Sequence, residues 1–76
     1  MKAFVLLKVD VGRLFDVLKE VKRTEGVKEA YAITGEWDII VFLEVEKPEN
    51  IAKIVGQKLQ SLNGVRGSLT FVAVSE

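Results

Sequence analysis

Apolar positions along this chain follow two alternating patterns. Ala3-Phe4-Val5-Leu6-Leu7 is apolar without a break until Lys8, which predicts a strand over residues 3–9. Asp10-Val11-Gly12 interrupts it, and Asp10 is placed to cap the following helix or to begin its first turn. Leu14, Val17, Leu18 and Val21 then recur at the i, i+3, i+4, i+7 spacing of an amphipathic helix. Asp16, Lys19, Glu20, Lys22 and Arg23 fill most of its solvent side, and Gly26 stops it. A second strand is expected over 27–34, charged at its start (Lys28, Glu29) as edge strands often are. Gly35-Glu36 fits a two-residue hairpin with glycine first. A third strand follows over 37–45, with Ile39-Ile40-Val41-Phe42-Leu43 apolar throughout. Pro48 opens a second helix with the stripe Ile51, Ile54, Val55, Leu59 and Leu62. Gly64 ends that helix, and 65–74 forms the last strand.

The order is βαββαβ, with an internal echo. Gly26-Val27-Lys28 and Gly64-Val65-Arg66 each follow a helix and open a strand. This order predicts an α+β, ferredoxin-like sandwich: a four-stranded antiparallel sheet with two helices on one face. The first and third strands, the most apolar, take its centre. Alternation puts Phe4, Leu6, Ile40 and Phe42 on one side of those strands. Val5, Leu7, Ile39, Val41 and Leu43 take the other. Two helices cover one side only. At ~25 cal/mol per Å² of apolar surface, leaving four such side chains in water forgoes several kcal/mol. A homodimer closing sheet on sheet is therefore expected.

Size sharpens that expectation. The chain has 76 residues, 49% of them hydrophobic, so 1–76 reads as one domain with no linker or low-complexity tract. A domain this small is marginal unless a disulfide, metal or partner adds burial. With Cys 0 and His 0, disulfides are excluded and only carboxylates remain as metal ligands, so no metal and no cofactor is expected. Association is the remaining source of burial. Lys+Arg 11 against Asp+Glu 11 gives net charge zero, without the basic excess that phosphate contacts demand. No apolar run approaches the ~20 residues of a membrane helix, and no secretory segment follows Met1-Lys2. A cytoplasmic protein without direct nucleic-acid or membrane contacts is expected.

The chain resembles a stand-alone RAM domain, the effector-binding half of the Lrp/AsnC transcriptional regulators. The likeness spans the whole sequence. It rests on Val9-Asp10-Val11-Gly12, Gly26-Val27, Thr34-Gly35-Glu36-Trp37-Asp38 and Gly64-Val65-Arg66-Gly67-Ser68-Leu69-Thr70. The resemblance implies dimers that assemble further, an octamer above all, and amino acids or similar metabolites bound between dimers near the hairpin. By position it implies ligand-binding roles for Thr34, Gly35, Trp37 and Asp38, with Ser68 and Thr70 on the last strand. It also implies an output in transcription regulation, either by buffering an amino-acid signal or by co-assembly with full-length Lrp/AsnC-type regulators. The family's helix-turn-helix is expected to be absent, because the sequence starts at the first strand.

Residue chemistry gives each candidate a plainer alternative. The Asp38 carboxylate can hold a ligand ammonium or simply satisfy amides of the turn. Trp37 can pack at an interface, where aromatics are enriched. Gly35 serves the turn in either case, and Ser68 and Thr70 can be ordinary polar strand residues. Other functions fit parts of the chain. Asp10-Val11-Gly12-Arg13-Leu14 echoes the Asp-x-x-Gly-x-Leu turn of ACT regulatory domains, which would put a ligand at the first strand-helix turn. A small dimeric ferredoxin-like enzyme would have to use Asp, Glu, Lys or Tyr31 for acid-base work. No clustered carboxylate pair or phosphate loop supports one, and no catalytic residue is expected. An RNA-binding sheet would need basic residues beside Phe4 and Phe42, where the neighbours are aliphatic.

Overall fold

The computed structural model describes residues 1–75. Strand β1 (Lys2–Val9) leads to helix α1 (Leu14–Arg23), then to strands β2 (Val27–Ala32) and β3 (Ile39–Glu44). Helix α2 (Pro48–Lys53) runs directly into a π-helical segment, Ile54–Leu59, before strand β4 (Val65–Val72). All neighbouring strands are antiparallel, in the order β2-β3-β1-β4. This is the ferredoxin-like sandwich expected from the hydrophobic pattern, with β1 and β3 at the centre.

The helices choose one of the two strand faces. Val5, Leu7, Ile39, Val41 and Leu43 are each 0% exposed and meet Val17 and Val21 of α1 and Leu59 of the π segment. The opposite set, Phe4, Leu6, Ile40 and Phe42, lies on the open face. The ladder adds β4 to that face, pairing Phe4 with Phe71 and Leu6 with Leu69. Phe4 and Phe42 stack there with ring centroids 5.1 Å apart.

Helix α1 begins after a turn in which the Arg13 amide donates to the Asp10 carbonyl at 3.0 Å. Arg13 holds the cap position without a side-chain bond, so Asp10 starts the turn and does not cap. The acidic first turn and basic last turn suit the helix dipole instead. At Gly26 the backbone has φ 99°. A Cβ there would collide with Ile54 Cδ1, which brings the loop onto the π segment.

The second helix differs from its expected form. The Gln60 amide donates to the Val55 carbonyl at 2.9 Å, five residues back, and the turn is wider than an α-helix. Periodicity does not reveal this, because the apolar set Ile51, Ile54, Val55 and Leu59 suits an i+4 or an i+5 ladder alike. The strands also stop short of their expected ends. Strand β2 ends at Ala32 and not at residue 34, β3 covers Ile39–Glu44 and not 37–45, and β4 ends at Val72 and not at 74. At the hairpin the Asp38 carboxylate takes the place of backbone pairing with β1.

Candidate functional site

The hairpin between β2 and β3 is where alternation gives way to turn chemistry. The register Ala32↔Ile39 continues through an Ile33 amide bond to the Asp38 carbonyl at 2.9 Å. The same register leaves Gly35 and Glu36 at the tip, and Gly35 takes φ 121°. A side chain would strain that backbone, while nothing lies within 4 Å of a Cβ there, so the glycine serves the turn.

Asp38 fastens this tip to β1. Its amide donates to the Leu7 carbonyl at 3.0 Å. Two residues further along β1, Asp38 Oδ2 accepts the Val9 amide at 2.8 Å. The carboxylate thus supplies an acceptor where the β3 backbone has left the ladder. The bond is charge-assisted and part-buried, the stronger kind. A carboxylate offers about four acceptor sites, so Asp38 retains capacity for a second donor.

Trp37 is half-buried beside it, and the Lys8 ammonium lies 5.8 Å from its ring centroid. Lys8 Nζ also donates to the Glu36 backbone carbonyl. Thr34, Gly35, Trp37 and Asp38 therefore come together with Lys8, which sequence reasoning did not single out. The signal was present: Lys8 alone breaks the apolar run of β1.

Ser68 and Thr70 stand apart from this group. They pair with Leu7 and Val5, whose side chains face the helices. Gln60 Nε2 donates to Ser68 Oγ at 2.8 Å. Thr70 lines an apolar groove with Ile51, Val55, Gly56 and Val72. Within one chain, β1 lies between these hydroxyls and the hairpin.

The open face beside the hairpin is apolar and rimmed by charge. Phe4, Tyr31, Ile40 and Phe42 form a shallow hollow with Lys2 and Glu29 at its edge. The Tyr31 hydroxyl donates to Glu29 Oε1. That bond, and then the carboxylate's charge, hold the phenol above its ordinary value. Among the described residues no His, Cys, Asp and Glu cluster could hold a metal ion. No helix among them is long and apolar enough to cross a membrane.

A family model described as the Lrp/AsnC ligand binding domain matches residues 2–76. The chain belongs to the Lrp/AsnC family. An uncharacterized HTH-type transcriptional regulator of Pyrococcus furiosus is 32% identical over 74 residues, covering 93% of this chain and 49% of the relative. A similar regulator of Pyrococcus horikoshii is 31% identical, with the same coverage. The chain spans about half the length of the curated relatives it matches. A crystal structure from Thermus thermophilus superposes with a TM-score of 0.94 at 27% identity, covering 99% of this chain and 94% of the other. A Neisseria meningitidis regulator solved in complex with L-Met has a TM-score of 0.83 at 20% identity, covering 99% of this chain and 50% of its own. At that identity it speaks for the Lrp/AsnC fold alone. Membership places the chain with the Lrp/AsnC ligand-binding domains and not with ACT domains.

Proposed function

We propose that this Lrp/AsnC domain is an amino-acid sensor whose binding site is completed where copies of the chain meet. The observation that carries the reading is the hairpin: a charge-bearing turn fixed to β1 at the rim of an uncovered apolar sheet. Family membership and the L-Met complex of the Neisseria regulator agree with it.

In this reading two copies close their open faces into a homodimer, and dimers join into an octamer. Residues 1–76 act as one ligand-binding domain in the cytoplasm. A zwitterionic amino acid lies against Thr34, Gly35, Trp37 and Asp38. Ser68 and Thr70 come from a neighbouring copy, since β1 separates them from the hairpin of their own chain. Ligand shifts the assembly equilibrium by its difference in affinity between assembly states, typically about 1–3 kcal/mol. The output is modulation of full-length Lrp/AsnC-type regulators by co-assembly.

The test is a thermal-shift screen of the twenty amino acids with light scattering to follow mass. At least one ligand should raise the melting temperature and change the mass, and Asp38→Ala should remove both responses. Flat curves and constant mass across all twenty would count decisively against the sensor.

A further inference from the structure

A contact between open sheet faces leaves the helix layer outside, and one flank of α1 has no cover of its own. Phe15 is 73% exposed there, more than any aromatic side chain of the open sheet face. It takes no part in the core. Val11, in the turn just before the helix, is 101% exposed. At about 3.6 residues per turn, Lys19 and Lys22 fall in line with Phe15, at i+4 and i+7. Asp16, Glu20 and Arg23 fall on a different flank of the same helix.

The two flanks treat charge differently. Arg13 bonds Asp16 at 3.2 Å, and Arg23 bonds Glu20 at 3.3 Å. Lys19 and Lys22 have no ion-pair partner among the described residues. Lys22 also lines a hollow between α1 and β2, beside Val27 and Ala30. Asp10 is the other unpaired charge of residues 10–23, and it precedes Val11, at the far end of the row from Lys22. The row therefore begins apolar and ends cationic, with its ammonium groups about 6 and 10 Å beyond Phe15 along the helix axis.

We infer that this flank of α1 docks an acidic amphipathic segment of another protein, its apolar residue against Val11 and Phe15 and its carboxylates on Lys19 and Lys22. Charge complementarity selects that occupant. Two lysines are too few for a phosphate backbone or an anionic membrane, which gather on the order of four or more cations. The α1 helix of a second copy does not match, because its acids lie on the other flank and are already paired. A helix with leucine followed by glutamates four and seven positions on repeats the required spacing. This surface uses no residue of the hairpin and stands apart from the sensor reading.

The probe is a fluorescein-labelled helical peptide with that leucine and glutamate spacing, beside a copy with glutamine in place of each glutamate. Anisotropy titrations with the whole chain should show the acidic peptide binding roughly tenfold tighter than the glutamine copy, and weakening steeply as salt rises. Phe15→Ser, and Lys19→Glu combined with Lys22→Glu, should each lose roughly tenfold or more in affinity. Glu20→Gln, on the other flank, should change it less than about twofold. Circular dichroism should show all of these variants folded, since every altered side chain is exposed. Equal binding of the two peptides, binding of neither, or undiminished binding by folded Phe15→Ser overturns the inference. Tighter binding to phosphatidylglycerol vesicles than to the acidic peptide also overturns it and gives the flank to a lipid surface. A fall in assembly mass on Phe15→Ser overturns it too, in favour of a second copy. None of these outcomes touches the sensor, which is read by thermal shift with amino acids.

Discussion

The helix-covered face and the open face of this sheet use the same strands and nearly the same hydrophobicity, yet they differ in kind of residue. Beneath the helices lie Ala3, Val5, Leu7, Ile39, Val41 and Leu43, each 0% exposed. On the open face lie Phe4, Tyr31, Phe42 and Phe71, every aromatic residue of the strands. Phe4 is 40% exposed and Phe71 51%. Aliphatic side chains interdigitate under a helix stripe, whereas broad flat rings suit a second sheet and are enriched at interface cores. The covered face therefore carries the stability of the single chain. The open face carries its capacity to associate.

The largest loss of stability is expected from the covered face. Leu7→Ala should cost about 2–5 kcal/mol, the usual range for a fully buried leucine. In a domain this small each kcal/mol lowers the melting temperature by about 4–8 °C, so urea and thermal unfolding will both register it. A loss below about 1 kcal/mol would mean that the helices pack loosely on β1. Asp38→Ala comes next. It leaves the part-buried Val9 amide without its acceptor and should cost about 1–3 kcal/mol. Opening of the hairpin should appear as a change in emission of Trp37, the single tryptophan.

The open face should respond in the opposite way. Phe71→Lys adds a charge beside Phe4, across the ladder. Dilute, dissociated protein should keep its unfolding free energy within about 0.5 kcal/mol, as for other exposed positions. If the faces close on each other, sedimentation should show the assembly reduced to a single chain by the same substitution. A variant that unfolds, or one whose mass is unaltered, would erase the distinction between the faces.

What was legible in the sequence follows the same division. Strand order, the central pair and the two alternating faces came from periodicity, because burial on one side imposes a period of two. The choice of covered face did not, since both sides are apolar. The π turn was hidden because Val55 and Leu59 satisfy either helical ladder. At the hairpin, Gly35 and Asp38 were readable from turn chemistry. Lys8 showed only as a break in the apolar run of β1, and its place beside Trp37 and Glu36 depends on how β1 lies beside β3. Ser68 and Thr70 came from resemblance alone, and their separation from the hairpin reflects a sheet order that no local motif encodes.

The smallest effect gives the most local report on the open face. Tyr31 is the single tyrosine, so ultraviolet absorbance of the phenolate follows that residue alone. Its hydrogen bond to Glu29 and the nearby negative charge raise its ionisation above the ordinary value. A group raised on folding contributes stability that is present below the unfolded value near 10 and disappears as pH climbs through the folded one. The mid-point should therefore lie above 10 in the parent and fall toward 10 in Glu29→Gln, which removes the charge. Tyr31 faces the same side as Ile40, so closure of two sheets would desolvate the phenolate and lift the mid-point again as protein concentration rises. A mid-point independent of concentration would mean that the sheet edge at β2 stays in water, and any contact between copies would then have to centre on β1 and β4.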